Sequence, residues 1–328
     1  MVNQTKKIAL IGAGFVGASI AYSLVLDQTA ETIVLIDLDR TKAKAEVDDI
    51  AHGLEGMGNA VIYEGDYSDC ADSDLLIVTA GRGRKAGESR RDLADGNWQI
   101  IQQVLTSLSP YDNGCPILMI TNPVDLLTAA VNRWRGQPFG SVFGSGCVLD
   151  SSRLVRCIAR MVYRQEPQRQ AACARTIQAC VIGEHGDAQI PLWSGVRIEG
   201  QAPADYCAAH GILWDAAARQ RIAQETKKMG AAIIQAKGRT HFGIAACACR
   251  IARAVLHDEQ IILSVSRPLA EQFSDAIPAL SLPSVIGRKG IVSCPPVLWN
   301  HQEQQAFEES AAALREQLKA LGSTAQRR

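Results

Sequence analysis

The sequence predicts an α/β protein: an N-terminal, doubly wound parallel sheet followed by a C-terminal α+β region. Three observations predict it. Four short apolar runs, KIALI (7–11), TIVLI (32–36), LLIVTAG (75–81) and ILMITNP (117–123), alternate with helix-like segments. Strands that are apolar almost throughout need cover on both faces, and the crossover helices of a parallel sheet supply it. A glycine-rich turn, GAGFVG, closes the first run and opens a helix, and near residue 147 the alternation gives way to longer helices and scattered strands. The expected domains are 1–146 and 147–328.

The elements follow in order. A helix runs from the glycine turn to about residue 28, and the second run ends at Asp37. Past the boundary, a helix is expected at 150–163, then a polar stretch, RQEPQRQ, and the strand-like TIQACVIG. A long helix spans 213–237 and stops at Gly238, since glycine is the usual helix terminator. A further helix fills 242–257, and strands lie in the 260s and around 284–293. The last segment, EQQAFEESAAALREQLKAL, spaces its apolar residues as a helix does. With no repeat or low-complexity linker, the two halves are expected to pack tightly.

Composition narrows the function. At 328 residues and 47% hydrophobic, the chain has ample material for burial. Its 34 Lys and Arg cancel 34 Asp and Glu, which argues against nucleic acid as a partner, because a phosphate backbone rewards a broad basic face. Ten cysteines are scattered with no C-x-x-C pair, so no metal is expected; they read as small buried hydrophobes in a reducing cytoplasm. Residues 8–26 carry no charge and imitate a membrane span, but glycines 12, 14 and 17 divide them into strand, turn and helix. No membrane association is expected.

Gly12-Ala13-Gly14-Phe15-Val16-Gly17 is a G-x-G-x-x-G stretch between strand and helix. The first glycine permits the tight turn, the second lets the backbone approach a pyrophosphate, and the third allows close helix–strand packing. Asp37 stands 20 residues beyond Gly17. A carboxylate there bonds the ribose 2′-OH and repels a 2′-phosphate, so the cofactor is read as NAD on a Rossmann domain.

Two other stretches carry chemistry. Gly183-Glu184-His185-Gly186-Asp187 follows a strand-like run and exposes a histidine between glycines, and Asp150 in CVLDSSRL is a candidate partner for its ring. GRGRKAGESRR, residues 81–91, gathers five cations around one acid, Glu88, in a glycine-rich loop.

In these stretches, together with IVLIDLD, ITNPVD, IGEHGDAQIPLWS, KGRTHFGIA and LSLPSVIG, the chain resembles the NAD-dependent L-lactate and malate dehydrogenases over nearly its full length. The framework is most similar to bacterial L-lactate dehydrogenases. The resemblance implies that His185 exchanges a proton with the substrate C2 oxygen and that Asp150 orients it. Arg153 would hold the substrate carboxylate, and Arg90 would polarise the C2 carbonyl from a loop that closes over the site. Asn122 would touch cofactor and substrate, and Thr240 would line the pocket. Thr79, Ala80 and Gly81 would join the glycine turn, Phe15 and Val16 in holding NAD. A homodimer or homotetramer is implied.

Substrate choice turns on Arg84. Family members that act on lactate typically carry Gln there and those that act on malate carry Arg. An arginine sealed against a methyl group would be a buried, unpaired charge, so Arg84 favours oxaloacetate and malate. Thr240, Glu88 and the EHGD-x-x-x-P-x-W block resemble the lactate enzymes instead, which keeps pyruvate and lactate as the alternative. Glu88 is expected to pair with Arg84 or Arg91. Val155 and Gln178 stand where many bacterial lactate enzymes place a phosphate-binding Arg and His, so activation by fructose 1,6-bisphosphate is not expected. A non-catalytic NAD(H) sensor is the competing class, opposed by the complete set of His185, Asp150, Arg90 and Arg153. The stretch 164–176 is longer than is usual in the family.

Overall fold

The computed structural model describes residues 6–325 apart from 84–86, 137, 165, 167, 169, 171–172 and 271–276. In chain order, the first half contains β1 (Lys7–Ile11), α1 (Phe15–Leu26), β2 (Thr32–Ile36), α2 (Arg40–Leu54), β3 (Val61–Glu64), β4 (Leu75–Val78), α3 (Arg90–Leu108), β5 (Ile117–Met119), α4 (Val124–Arg135) and β6 (Val142–Gly144). The second half contains α5 (Val148–Val162), β7 (Ile177–Gln178), β8 (Val181–Gly183), β9 (Gln189–Pro191), β10 (Arg197–Ile198), α6 (Pro203–Ala209), α7 (Ala216–Lys237), α8 (Phe242–Leu256), β11 (Ile261–Pro268), β12 (Ala279–Gly287), β13 (Gly290–Ser293) and α9 (His301–Ala325).

Six strands run parallel in the order β3-β2-β1-β4-β5-β6, the doubly wound arrangement of a Rossmann domain. Their apolar runs split by parity. Ile8, Leu10, Ile33, Leu35, Leu75 and Ile77 face a core that also holds residues of α1 and α8, whereas Ala9, Ile11, Val34, Ile36, Leu76 and Val78 face α3, α4 and α9. Period-2 alternation is invisible in the sequence because both sides are apolar destinations.

The same sheet continues into the second half. Ser266 of β11 pairs with Gly144 of β6, and β11, β12, β8 and β9 follow as antiparallel neighbours. The two halves are therefore joined through hydrogen-bonded strands as well as packed helices. β7 and β10 form a separate ribbon.

Several expected boundaries move. The apolar runs at 75–81 and 117–123 are strand only to Val78 and Met119. Thr79–Gly81 and Ile120–Pro123 turn out of the sheet at its C-terminal edge, where binding crevices of such sheets form. TIQACVIG is two strands in different sheets, and the strand expected at 284–293 is the end of β12, a turn and β13. β3 and β6 gave no signal: one is a partly exposed edge strand and the other has three residues. The long stretch at 164–176 falls partly outside the described residues. Among the described residues, no helix is long and apolar enough to cross a membrane.

Candidate active site

The glycine turn is built as its spacing requires. Gly12 has φ +112°, and a Cβ there would stand 2.6 Å from the Ala80 nitrogen. At Gly17 a Cβ would stand 1.8 Å from the Gly12 carbonyl oxygen, so α1 packs on the turn at a distance that excludes any side chain. Gly14 is the reverse case: nothing lies within 4 Å of an added Cβ, and it caps α1 without a side-chain hydrogen bond. Open space before uncapped helix amides suits a pyrophosphate. At the end of β2 the Asp37 carboxylate accepts from the Ala13 nitrogen at 2.6 Å and the Asp39 nitrogen at 3.0 Å. Asp37 shares a cavity of about 320 Å³ with Gly12, Gly14, Thr79, Ala80 and Gly81. The Thr79 hydroxyl donates to the Gly12 carbonyl at 2.9 Å and braces the turn. Phe15 stands apart, exposed beneath the Arg239 guanidinium 3.6 Å from its ring centre.

One residue beyond Phe15, Val16 lines a second cavity of about 340 Å³ with Asn122, Asp150, Arg153, His185, Asp187, Lys227 and Thr240. His185 lies on the loop after β8, and Asp150 in the first turn of α5. Their side chains meet: His185 Nδ1 and Asp150 Oδ2 are 2.6 Å apart. Arg153, one turn along α5, donates to Asp150 Oδ1 at 2.9 Å. Burial works against charge at both partners, but their mutual bond outweighs it. The imidazole is therefore held above its ordinary range and the Asp150 carboxyl below its own. With Nδ1 committed to Asp150, Nε2 is the ring nitrogen left to serve a substrate.

The basic loop is less uniform than its composition suggests. Glu88 accepts from both terminal nitrogens of Arg82, a partner the sequence did not suggest, and the expected pairing with Arg84 falls outside the described residues. Arg91 lies 4.0 Å from Asp95. Ser89 and Asp92 cap α3 reciprocally, Asp92 N donating to the Ser89 hydroxyl oxygen at 3.1 Å and Ser89 N to the Asp92 carboxylate at 3.1 Å. That box fixes Arg90 as the first helical residue. Arg90 is half exposed and ion-paired with Asp187 on the rim of the substrate cavity. Arg84 lies outside the described residues.

Two residues of the site escaped the sequence reading. Asn97, fully buried in α3, donates to the carbonyls of Asn122 at 2.7 Å and Arg82 at 3.1 Å and accepts from the Arg82 nitrogen at 2.8 Å, joining the basic loop to the TNPVD turn. Its signal was available: an amide on the stripe Ala94, Trp98, Ile101 that faces the core. Asp125, buried at the start of α4, accepts the His185 backbone N–H at 2.7 Å. It was visible as an acid leading a helix with otherwise few charges.

Comparison with known proteins agrees with this geometry. Residues 6–144 match the NAD-binding domain of lactate/malate dehydrogenase, and residues 147–324 match the α/β C-terminal domain of the same family. An L-lactate dehydrogenase of Thermoanaerobacter pseudethanolicus is 39% identical over 315 residues, 96% of this chain and 99% of the relative. One of Acetivibrio thermocellus is 37% identical over 316 residues, 96% of this chain and 97% of the relative. Among solved structures, a lactate dehydrogenase from a Medee basin deep-sea metagenome superposes with a TM-score of 0.88 at 30% identity, covering 97% of this chain and 99% of that one. An L-lactate dehydrogenase of Clostridium thermocellum gives 0.80 at 35% identity, covering 96% and 99%. The chain belongs to the lactate/malate dehydrogenase family and is an NAD-dependent oxidoreductase acting on the CH–OH group of its substrate.

Proposed function

We propose that the enzyme is an L-lactate dehydrogenase interconverting pyruvate and L-lactate. The observation that carries the reaction is the joining of His185, Asp150 and Arg153 in one cavity, with carboxylate, imidazole and guanidinium in contact. The names of the relatives at 37–39% identity favour pyruvate over oxaloacetate.

NADH, when bound, supplies the hydride. Arg153 binds the substrate carboxylate, which a planar guanidinium can engage through two parallel bonds. Protonated His185 gives its Nε2 proton to the C2 oxygen as the carbonyl carbon takes the hydride, and Asp150 stabilises the cation before transfer. In the reverse direction neutral His185 accepts that proton. Arg90 leaves Asp187 as the loop closes and polarises the carbonyl, and Asn122 and Thr240 bound the pocket. The raised imidazole pKa sets the sign of the pH dependence. The cation persists above pH 6.5, so reduction is fast below the raised value and fades above it, while lactate oxidation does the opposite.

Arg84 supports oxaloacetate as a second reading, since a diacid would give its charge a partner in a closed site. NADH oxidation with pyruvate, oxaloacetate, 2-oxoglutarate and phenylpyruvate separates the two. We expect the highest kcat/KM with pyruvate; a larger value with oxaloacetate, moving towards pyruvate in Arg84→Gln, establishes the second reading. Adding fructose 1,6-bisphosphate is expected to change nothing, because Val155 and Gln178 offer a phosphate no cation. A homodimer or homotetramer remains part of the proposal, and light scattering on the purified chain reads the subunit number.

A further inference from the structure

A second carboxylate stands behind the catalytic loop. Asp125 is 2% exposed in the first turn of α4, three residues after Asn122. Its Oδ2 accepts the His185 backbone N–H, while Oδ1 makes no hydrogen bond of ordinary geometry, with the Ser266 hydroxyl of β11 as its polar neighbour. Burying an acid this deeply is costly. Asparagine has the same shape and its carbonyl would accept the same N–H bond, so what the acid adds is charge. The helix N-terminus favours that charge, and the ionisable group whose backbone it holds is the one whose protonation the reaction needs.

The remaining neighbours do not replace it. Asp150 and Arg153 on α5 are paired with each other. Cys147, ahead of α5, is pushed well up by burial and stays a thiol. Glu184, beside His185, is also raised by burial, against the pull of the nearby Arg90 and His185. Arg90, Arg91 and Glu316 of α9 lie around the cavity beneath Pro123 and Leu126.

We infer that Asp125 is a positioning residue: it anchors the His185 loop through the backbone bond and, by its negative charge, holds the imidazole in the protonated form that reduction consumes. The inference rests on His185 as the proton donor, and His185→Ala tests that role separately. Burial pushes the Asp125 carboxyl up to about 6, with Ser266 and His185 pulling against it. Its charge is thus present above that pH and absent below.

The test compares wild type, Asp125→Asn and Asp125→Ser in the full chain, by pH profiles of kcat/KM for pyruvate reduction and lactate oxidation. NADH fluorescence titration and thermal unfolding check that each variant is folded. For Asp125→Asn we expect NADH affinity within about twofold of wild type and reduction unchanged below pH 6. The alkaline decline of reduction moves down by roughly half a pH unit or more, so reduction at pH 8 falls about threefold, and the acid limb of lactate oxidation moves the same way. Asp125→Ser shifts the profile in the same direction and serves alone if the Asn variant does not fold. A profile that superimposes on wild type, or a loss that is equal at every pH, overturns the charge role.

Discussion

The cofactor cleft and the substrate cavity lie on either side of one helical turn, since Gly14 lines the first and Val16 the second. They are made of different materials. The cleft's phosphate end is backbone, a glycine turn and the uncapped start of α1, with one carboxylate at a strand end. The cavity is a set of side chains drawn from residues 16 to 244, held by bonds between parts of the chain far apart in sequence. A backbone site must keep its shape to bind at all, whereas a side-chain site can lose a functional group and still be occupied. Substitutions in the two should therefore fail in different ways.

The largest expected effect is at the cavity. His185→Ala removes the proton donor and acceptor and should lower kcat by about 10²–10⁴-fold, with NADH affinity unchanged. Steady-state kinetics with pyruvate and a fluorescence titration with NADH read both numbers. A loss under tenfold would mean that another group moves the proton.

The cleft should break the other way. In Gly17→Ala the new Cβ meets the Gly12 carbonyl at 1.8 Å, a contact with backbone that no rotamer relieves. Overpacking of this kind costs about 1–3 kcal/mol. Pushing α1 away from the turn should weaken NADH binding roughly tenfold or more, the equivalent of about 1.4 kcal/mol. At saturating NADH, kcat should stay within a few-fold of wild type. If kcat falls as far as in His185→Ala while NADH still binds normally, the division between the two sites is wrong.

This division also explains what could be read from the chain alone. The cleft's glycine turn and its acid are contiguous: strand, glycines, helix and Asp37 fall within residues 7–37, so local spacing carries that part of the design, and Thr79–Gly81 complete the lining. The catalytic pair is 35 residues apart, and nothing local says that Asp150 meets His185. Only the resemblance placed them together. Asn97 and Asp125 went unread because each stands on a core-facing helix, where a polar residue shows that a bond exists but not its partner. The basic loop is hard to read for a related reason. Charge counting cannot tell that Glu88 binds Arg82, six residues back, and Arg84, the case for a diacid, lies outside the described residues.

The last effect isolates the cost of the buried acid behind the His185 loop. The Asp125 carboxyl is raised from 3.8 to about 6, chiefly by burial. Between those values the native state binds a proton that the unfolded chain has released, so wild-type stability falls as pH rises through this window. Asp125→Asn has no such proton to lose. Its unfolding temperature relative to wild type should therefore climb from pH 4 to pH 6 and level off above, the whole change on the order of 1–3 kcal/mol. Differential scanning fluorimetry at closely spaced pH values measures it. A constant offset between the two proteins would mean that Asp125 is ionised at pH 4 as well, stabilised by the α4 terminus more strongly than burial opposes it. The charge behind the His185 loop would then be present throughout the pH range measured, and reduction in Asp125→Asn should differ from wild type below pH 6 as well.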